Sequence, residues 1–256
     1  MKTRIITTLG ILAFVIPALL FGGFLIVALV TFILIVGTHE FSQCSTNQWP
    51  KWYEFLLIIG ILGSLLVDRS LLIPYLSLLT ILPLIMPILT THFNSEDTFI
   101  SMAFIFFFSS IGTAFLDMYA IEPYFIYYII LVTYSCDSFA YLVGRTFGKH
   151  KLCERISPKK TVEGSIGGWV GAMVVSLIFA FTFFDPSQYR LLIIASVILP
   201  IFGQLGDLAF SAIKRHYKIK DFGNLLPGHG GVLDRVDSLL FNLIVFNFIF
   251  AVVNIL

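Results

Sequence analysis

Three aspartates in the C-terminal part of the chain have a spacing that suits metal-dependent phosphate chemistry. Asp234 and Asp237 are three residues apart, so a helix that begins near Gly231 places both carboxylates on one face. Asp207 lies near the end of a long apolar segment, and a carboxylate at membrane depth needs a partner such as a metal ion. Mg²⁺ takes one or two carboxylates together with substrate phosphates. We therefore predict that Asp207, Asp234 and Asp237 converge as metal ligands.

The residues around these aspartates suit phosphate groups. The segment Pro227–Gly231 is a turn whose glycines let the backbone approach a ligand closely, and backbone amides ahead of a helix favour anions. The positive side chains available to neutralise phosphate charge are Lys214, Arg215, Lys220 and Arg235. This combination points to phosphoryl or nucleotidyl transfer, in which positioning and electrostatic stabilisation supply most of the catalysis. The alternative is structural, with Asp234, Arg235 and Asp237 forming an ion-pair network that closes a loop and Asp207 acting as a buried hydrogen-bonding group between helices.

A second polar segment lies upstream, at the end of the sixth apolar run. Asp137 and Tyr141 are four residues apart, and Gly144 and Gly148 repeat that spacing, which gives a helix one face of polar or small residues. The following stretch, Ser157–Thr161, is a compact cationic loop with two hydroxyl groups. Such a loop suits a triphosphate.

Membrane helices must position both segments. The chain has 256 residues, 58% of them hydrophobic and 12% charged, and its mean hydropathy is +0.95. This composition excludes a soluble domain, a disordered chain and a nucleic-acid-binding protein with a broad basic face. The long unbroken apolar runs favour helices over the short alternating strands of a barrel. We predict an all-α polytopic membrane protein with one domain, in which residues 1–120 supply N-terminal spans and residues 121–256 supply the catalytic spans and loops.

Nine apolar segments are candidate membrane spans. They are residues 5–20, 24–43, 54–67, 71–91, 98–116, 123–144, 165–184, 189–213 and 238–256. The third is short enough to be a re-entrant segment instead. The fourth contains Pro74, Pro83 and Pro87, which predict kinks. Glycines such as Gly164 and Gly168 at the start of the seventh predict close helix packing.

The positive residues are concentrated on one side of the predicted membrane. Of the sixteen Lys and Arg residues, six lie within Arg145–Lys160 and five within Lys214–Arg235, and both stretches follow even-numbered spans. The N-terminus, which carries Lys2 and Arg4, lies on the same side. Since cytoplasmic loops carry the excess of Lys and Arg, we predict a plasma-membrane protein whose N-terminus and polar loops are cytoplasmic.

These segments together resemble the signature of the phosphatidate cytidylyltransferases, or CDP-diacylglycerol synthases. The stretch Ser211–Asp237 has that signature's Ser, Lys-Arg, Lys-Asp, Pro-x-His-Gly-Gly and Asp-Arg-x-Asp at matching spacing. Residues 137–149 and 157–164 are similar to further motifs of the same family. The chain departs from the family at Tyr134 and Val162, where Trp is frequent. Both departures change bulk without removing a charge or a ligand.

The resemblance implies transfer of a cytidylyl group from CTP to phosphatidic acid, which gives CDP-diacylglycerol and pyrophosphate in phospholipid biosynthesis. It places Mg²⁺ at Asp207 and Asp234, with Asp237 and Asp221 as second candidates and a monovalent cation such as K⁺ nearby. The implied catalytic residues are Asp207, Lys214, Arg215, His229, Asp234 and Arg235. The implied substrate-binding residues are Asp137, Arg145, Ser157, Lys159, Lys160, Thr161, Lys220, Asp221, Gly230 and Gly231. A homodimer in the lipid bilayer is implied as well.

Two alternatives remain open at this stage. The first keeps the chemistry and changes the acceptor to another lipid phosphate, such as a polyprenyl or archaeol-type phosphate, because the motifs bind phosphates rather than acyl chains. The second is a transporter or channel, since intramembrane aspartates and kinked helices are typical of ion pathways. Transporters usually place charge near the midplane between repeated halves. Here the polar groups gather at one face and no repeat is visible, which disfavours transport.

Overall fold

The structure is a computed structural model that describes residues 2–44 and 49–255, with side chains from Thr7 onward. Within these ranges the chain forms ten α-helices, two short 3-10 helices and two β-strands. The helices are α1 (Lys2–Phe21), α2 (Gly23–Ser42), α3 (Lys51–Gly63), α4 (Leu72–Leu79), α5 (Ile81–Leu89), α6 (Ser95–Ile121), α7 (Pro123–Phe147), α8 (Val162–Phe183), α9 (Tyr189–His216) and α10 (Leu233–Ile255). The strands are β1 (Lys151–Cys153) and β2 (Ser157–Thr161), and the 3-10 helices are Arg69–Leu71 and Pro186–Gln188. Among the predicted features, the side chains of Lys2 and Arg4 and the final residue, Leu256, lie outside the described residues.

Seven helical segments of the described chain are long and apolar enough to cross a membrane, which confirms an all-α polytopic membrane protein. They are α2, the segment Arg69–Leu89, α6, α7, α8, the segment Pro186–His216 and α10. The first predicted span lies within α1, whose side chains are described only from Thr7 onward, and the third is helical but shorter than a span. At 1.5 Å per residue, the 13 residues of α3 extend over only about 20 Å, less than the hydrocarbon core. The count of nine spans therefore stays a prediction.

The predicted proline kink appears in the fourth apolar segment. α4 ends at Leu79, and α5 begins after a break at Thr80. Pro83 has no N–H to donate to the carbonyl of Leu79, so the helical ladder is interrupted there. The hydroxyl of Thr80 donates to the carbonyl of Ser77 at 2.7 Å, which satisfies one acceptor close to the break.

The chain divides into two compact units, each described separately. The first unit contains residues 1–116 and 217–235, and the second contains residues 117–216 and 236–256. In the first unit, α2 and α6 pack closely through aromatic rings. Phe41 stacks on Phe104 with ring centroids 4.0 Å apart. Gly37 leaves room for Phe108, because a Cβ at residue 37 would lie 2.6 Å from that ring.

The second unit is held together by small residues and by buried hydrogen bonds. A Cβ at Gly168 would lie 2.8 Å from the Cβ of Ala140, so α7 and α8 approach as closely as the predicted glycine spacing indicates. The hydroxyl of Tyr128 donates to the carbonyl of Leu192 at 2.8 Å and joins α7 to α9. Asn242 of α10 donates to the hydroxyl of Thr133 at 2.8 Å. These bonds fix three helices that carry predicted site residues.

Candidate active site

A cleft of about 410 Å³ opens in the second unit beside α7, β2 and the start of α8. It is lined by Asp137, Ala140, Tyr141, Gly144, Arg145, Leu152, Lys159, Lys160, Thr161, Gly164, Ser165 and Gln204. Five of these residues are predicted substrate-binding residues, and three of those five are cations. Ser157, a sixth, belongs to the same strand without lining the cleft. The predicted triphosphate segment therefore borders an open, positively charged space.

The predicted loop Ser157–Thr161 is a β-strand, which corrects the loop assignment. It pairs antiparallel with β1, and the hairpin holds its cationic side chains beside α7. Thr161 then caps α8, because its hydroxyl accepts the N–H of Gly164 at 3.1 Å. Glu163 of α8 contacts the two residues that precede β1. Its carboxylate accepts the backbone N–H of Lys149 at 3.0 Å and lies 2.6 Å from the His150 ring. The start of α8 is therefore fixed directly after the cationic strand β2.

Two of the three predicted metal ligands belong to a charged cluster in the second unit. Asp207 of α9 pairs with the ammonium group of Lys160, and each side chain is roughly one quarter exposed. Asp237 of α10 is 7% exposed and interacts electrostatically with Asp207, Asp137 and Lys214. Asp137, predicted to bind substrate, also interacts with Lys160 and Asp207. The cluster therefore holds three carboxylates and two lysines.

The donor set of this cluster fits a hard divalent cation. Across residues 2–44 and 49–255, no three His, Cys, Asp or Glu side chains form a group that could hold a metal ion by themselves. Mg²⁺ does not require such a group, because it is usually held by one or two carboxylates and completed by substrate phosphates and water. Asp207 and Asp237 supply suitable oxygens. The Lys160 pairing shows, however, that Asp207 has a partner of its own within the protein.

The third predicted ligand, Asp234, organises the loop of the first unit, which is residues 217–232 between α9 and α10. Its Oδ2 atom accepts the backbone N–H of Phe222 and of Gly231, each at 2.9 Å. Arg235 donates from its guanidinium group to the carbonyl of His229 at 2.9 and 2.5 Å. Asp234 and Arg235 therefore both close the loop, as the structural alternative proposed, and the contacts described here are hydrogen bonds to its backbone. A metal-binding role for Asp234 stays a prediction.

The Gly-rich turn uses its glycines in two ways. Gly228 and Gly230 have φ angles of 77° and 86°, a conformation that side-chain-bearing residues rarely adopt. The N–H of Gly230 donates to the carbonyl of Leu226 at 3.1 Å, and the N–H of Gly231 donates to Asp234. Asp221 packs against this turn, since a Cβ at Gly230 would lie 3.2 Å from its side chain. Binding of phosphate by Gly230 and Gly231 stays a prediction.

Sequence reasoning missed Glu40, a buried carboxylate near the end of α2. The two oxygens of Glu40 accept the N–H groups of Val232 and Leu233 at 2.8 and 2.9 Å. The side chain is therefore bonded to the first residues of α10, almost two hundred positions further along the chain. One available signal was that Glu40 is the sole carboxylate of the apolar span 24–43, where a charge is costly without a partner.

His229 and α1 also meet in the first unit. The hydroxyl of Thr8 lies 3.4 Å from Nε2 of His229, and Thr7 donates to the carbonyl of Pro227 at 3.0 Å. Among the described residues, Nδ1 of His229 is buried without a hydrogen-bond partner. The role of His229 in orienting a phosphate group stays a prediction.

The remaining predicted cations lie around the end of α9. Lys214 is 7% exposed, whereas Arg215 and Lys220 are exposed. Tyr217 follows α9, and burial, reinforced by the negative charges of two carboxylates at the start of α6, raises the pKa of its phenol to about 12. The phenol therefore remains protonated at physiological pH, while the two exposed cations extend into solvent.

Comparison with known proteins shows a family match over nearly the whole chain. The model of the cytidylyltransferase family matches residues 2–253. The phosphatidate cytidylyltransferase of Bacillus subtilis is 37% identical, and the alignment covers 94% of each chain. Those of Staphylococcus saprophyticus and Staphylococcus haemolyticus are 36% and 35% identical, and each alignment covers 96% of this chain and 98% of the relative.

Proposed function

Because the chain belongs to the cytidylyltransferase family, we propose that it transfers the cytidylyl group of CTP to phosphatidic acid. The products are CDP-diacylglycerol and pyrophosphate, and the reaction serves phospholipid synthesis. The observation that carries this proposal is the near-complete coverage of relatives named phosphatidate cytidylyltransferase. The cationic cleft of the second unit supports it, because a nucleoside triphosphate needs several positive partners.

The cleft supplies the groups that a triphosphate requires. Arg145, Lys159 and Lys160 offer positive charge to the phosphate oxygens, and the hydroxyl of Thr161 lies beside them. An oxygen of the phosphatidate headgroup attacks the α-phosphorus of CTP and forms a new P–O bond. The bond from the α-phosphorus to the bridging oxygen of the β-phosphate breaks, and pyrophosphate leaves with that electron pair. A phosphate monoester, with a second pKa near 6, is already largely ionised near neutral pH, so no strong general base is needed.

The charged cluster of the second unit would hold Mg²⁺ through Asp207 and Asp237, with Asp137 as a neighbouring carboxylate. Asp234 stays a candidate ligand by resemblance, and K⁺ is a candidate second cation. When bound, Mg²⁺ neutralises charge on the triphosphate and on the leaving pyrophosphate. In this proposal Lys160 exchanges its carboxylate partner for a phosphate group when the nucleotide binds.

The protein is a multi-pass membrane protein. We propose the plasma membrane as its location, which the bacterial origin of its relatives supports. We further propose that its N-terminus and the two polar segments face the cytoplasm, where CTP is available. The excess of Lys and Arg in those segments supports this orientation. A homodimer, implied by the family resemblance, belongs to the same proposal. A cysteine introduced at Lys151, in a chain whose half-exposed Cys153 is replaced by serine, is treated with a membrane-impermeant maleimide in intact cells and in inverted vesicles. Labelling only in inverted vesicles is expected.

A pyrophosphate-release assay tests the proposed activity. Purified protein in detergent–lipid micelles is given phosphatidic acid with CTP, UTP, ATP or GTP in turn, and we expect release with CTP. A second series keeps CTP and replaces phosphatidic acid with a polyprenyl phosphate or an archaeol-type phosphate. Product with one of those lipids and none with phosphatidic acid would change the acceptor while keeping the chemistry. No release from CTP with any lipid phosphate would overturn the proposed function.

A further inference from the structure

The start of α10 is held by a carboxylate from a distant part of the chain. Glu40 lies in α2, is 3% exposed, and accepts the N–H groups of Val232 and Leu233 through its two oxygens. These are among the N–H groups that have no partner within a helix, because the first turn lacks preceding carbonyls. A negative charge at this end of a helix is also favoured by the helix dipole. Glu40 therefore acts as a helix cap supplied from another helix.

Two glycines of the loop make room for this carboxylate. A Cβ at Gly231 would lie 2.6 Å from Oε2 of Glu40, and a Cβ at Gly223 would lie 2.6 Å from Oε1. Neither position has a positive φ angle, so backbone conformation does not demand glycine there. Glycine is needed at both positions because the Glu40 side chain is enclosed between the two backbone segments.

The loop and the helix start are thus fixed by two carboxylates that bind consecutive amides. Asp234 takes the N–H of Gly231, and Glu40 takes the next two N–H groups. Because Asp234 is the second residue of α10, its position depends on where that helix begins. A displacement of about 1 Å in a catalytic group can lower a rate a hundredfold even when the substituted residue touches no substrate.

We propose that Glu40 is a positioning residue for the transfer reaction, which holds the start of α10 and so sets the location of Asp234 and Arg235. The inference rests on the proposed function, in which Asp234 and Arg235 belong to the catalytic group. Glu40 itself contacts neither CTP nor the lipid phosphate in this account. Its contribution passes through the amides of Val232 and Leu233.

The test replaces Glu40 with glutamine, which keeps the shape but turns one acceptor into a donor that faces a backbone N–H. We expect kcat to fall about a hundredfold, whereas the KM for CTP changes by less than about threefold, because uniform substrate binding is not lost. The matched control is Asp97→Asn. Asp97 is another 3% exposed carboxylate of the first unit, and it accepts N–H groups from Trp49 and Asn94 instead of the loop. We expect this control to keep kcat within about threefold of the wild type.

A second variant and a second readout separate positioning from loss of folding. Gly223→Ala displaces the same carboxylate without removing its charge and without touching a predicted site residue, and we expect a comparable fall in kcat. Trypsin cleavage after Lys218 or Lys220 reports opening of the loop without any substrate. We expect this cleavage to be about tenfold faster in Glu40→Gln than in the wild type or in Asp97→Asn, since proteolysis follows the population of the open loop.

The outcomes are distinct. Near-wild-type kcat in both Glu40→Gln and Gly223→Ala would overturn the inference, as would equal losses of kcat in Glu40→Gln and Asp97→Asn. If Glu40→Gln does not fold, the kcat and KM of Gly223→Ala decide the matter in the same way. If the wild type releases no pyrophosphate at all, the proposed function fails. The trypsin experiment then tests by itself whether Glu40 holds the loop. Equal cleavage rates in Glu40→Gln and in the wild type would show that it does not.

Discussion

Replacing Gly164 with alanine is expected to separate α7 from α8 and to deform the cationic cleft. The new Cβ would lie 2.7 Å from the carbonyl oxygen of Ala140 and 3.0 Å from the Cα of Gly144. Both neighbours are backbone atoms of a helix, so neither can turn away as a flexible side chain would. The helices must therefore move apart by several tenths of an ångström.

The size of the effect follows from two opposing contributions. Overpacking of this kind costs about 1–3 kcal/mol, whereas alanine is favoured over glycine within a helix by up to about 1 kcal/mol. The difference between these ranges is a net loss of about 0–3 kcal/mol of unfolding free energy, with a mid-value near 1.5 kcal/mol. For a chain of this length, each kcal/mol lowers Tm by roughly 2–4 °C. Since Ala140, Gly144 and Gly164 all line the cleft, we also expect a higher KM for CTP.

Thermal unfolding in detergent, with Gly10→Ala as the matched control, measures this prediction. Gly10 also lies within a helix, α1, but a Cβ there would meet nothing within 4 Å. The control should therefore unfold at or slightly above the wild-type temperature. If Gly164→Ala were as stable as Gly10→Ala and kept the wild-type KM, the close approach of α7 and α8 would be refuted as the basis of the cleft.

Three further predictions concern charge at the site. Asp234→Asn should lower kcat by about a hundredfold or more in the pyrophosphate-release assay, because a negative charge in a preorganised site is lost. Activity within a few-fold of the wild type would show that Asp234 is not a catalytic residue. EDTA should abolish turnover and added Mg²⁺ should restore it, so turnover that persists in EDTA would exclude a divalent cation from the reaction. Lys160→Met should raise the KM for CTP by about tenfold through loss of one charge-assisted contact, whereas Lys51→Met, at the start of α3, should leave it unchanged. An equal KM in the two lysine variants would show that Lys160 serves only Asp207.

The parts of the site that the sequence predicted are those encoded by local spacing. The three-residue and four-residue spacings on α7 and α10 determine which side chains share a helical face, and the cationic strand follows α7 after a short connection. Two of the three predicted metal ligands, Asp207 and Asp237, lie in one charged cluster. The cluster also contains Asp137 and Lys160, which the sequence assigned to substrate binding, whereas the third predicted ligand, Asp234, hydrogen-bonds to backbone N–H groups of the loop before α10. Glycine spacing likewise predicted the close contact of α7 with α8. Each of these inferences needed only the spacing of residues along one helix and the segment that follows it in the sequence.

Features that depend on distant segments were missed or incomplete. The hairpin of β1 and β2 has too few residues for a period-two pattern to stand out, so its second strand looked like a loop. Glu40 has no local motif, because its partners are 192 and 193 residues away. Pattern reading sees one segment at a time, whereas these features arise from pairing between segments.

The Gly-rich turn shows why a correct physical rule led to an incomplete assignment. Consecutive amides ahead of a helix do attract anions, and the three amides from Gly231 to Leu233 are indeed bound to negative oxygens. The anions are the protein's own carboxylates, Asp234 and Glu40. The two adjacent glycines of the turn are therefore required for different reasons. Gly230 is required by a backbone φ of 86°, whereas Gly231 is required by the space that Glu40 occupies. A chain that lacked the buried glutamate could therefore accept a side chain at position 231 but not at position 230.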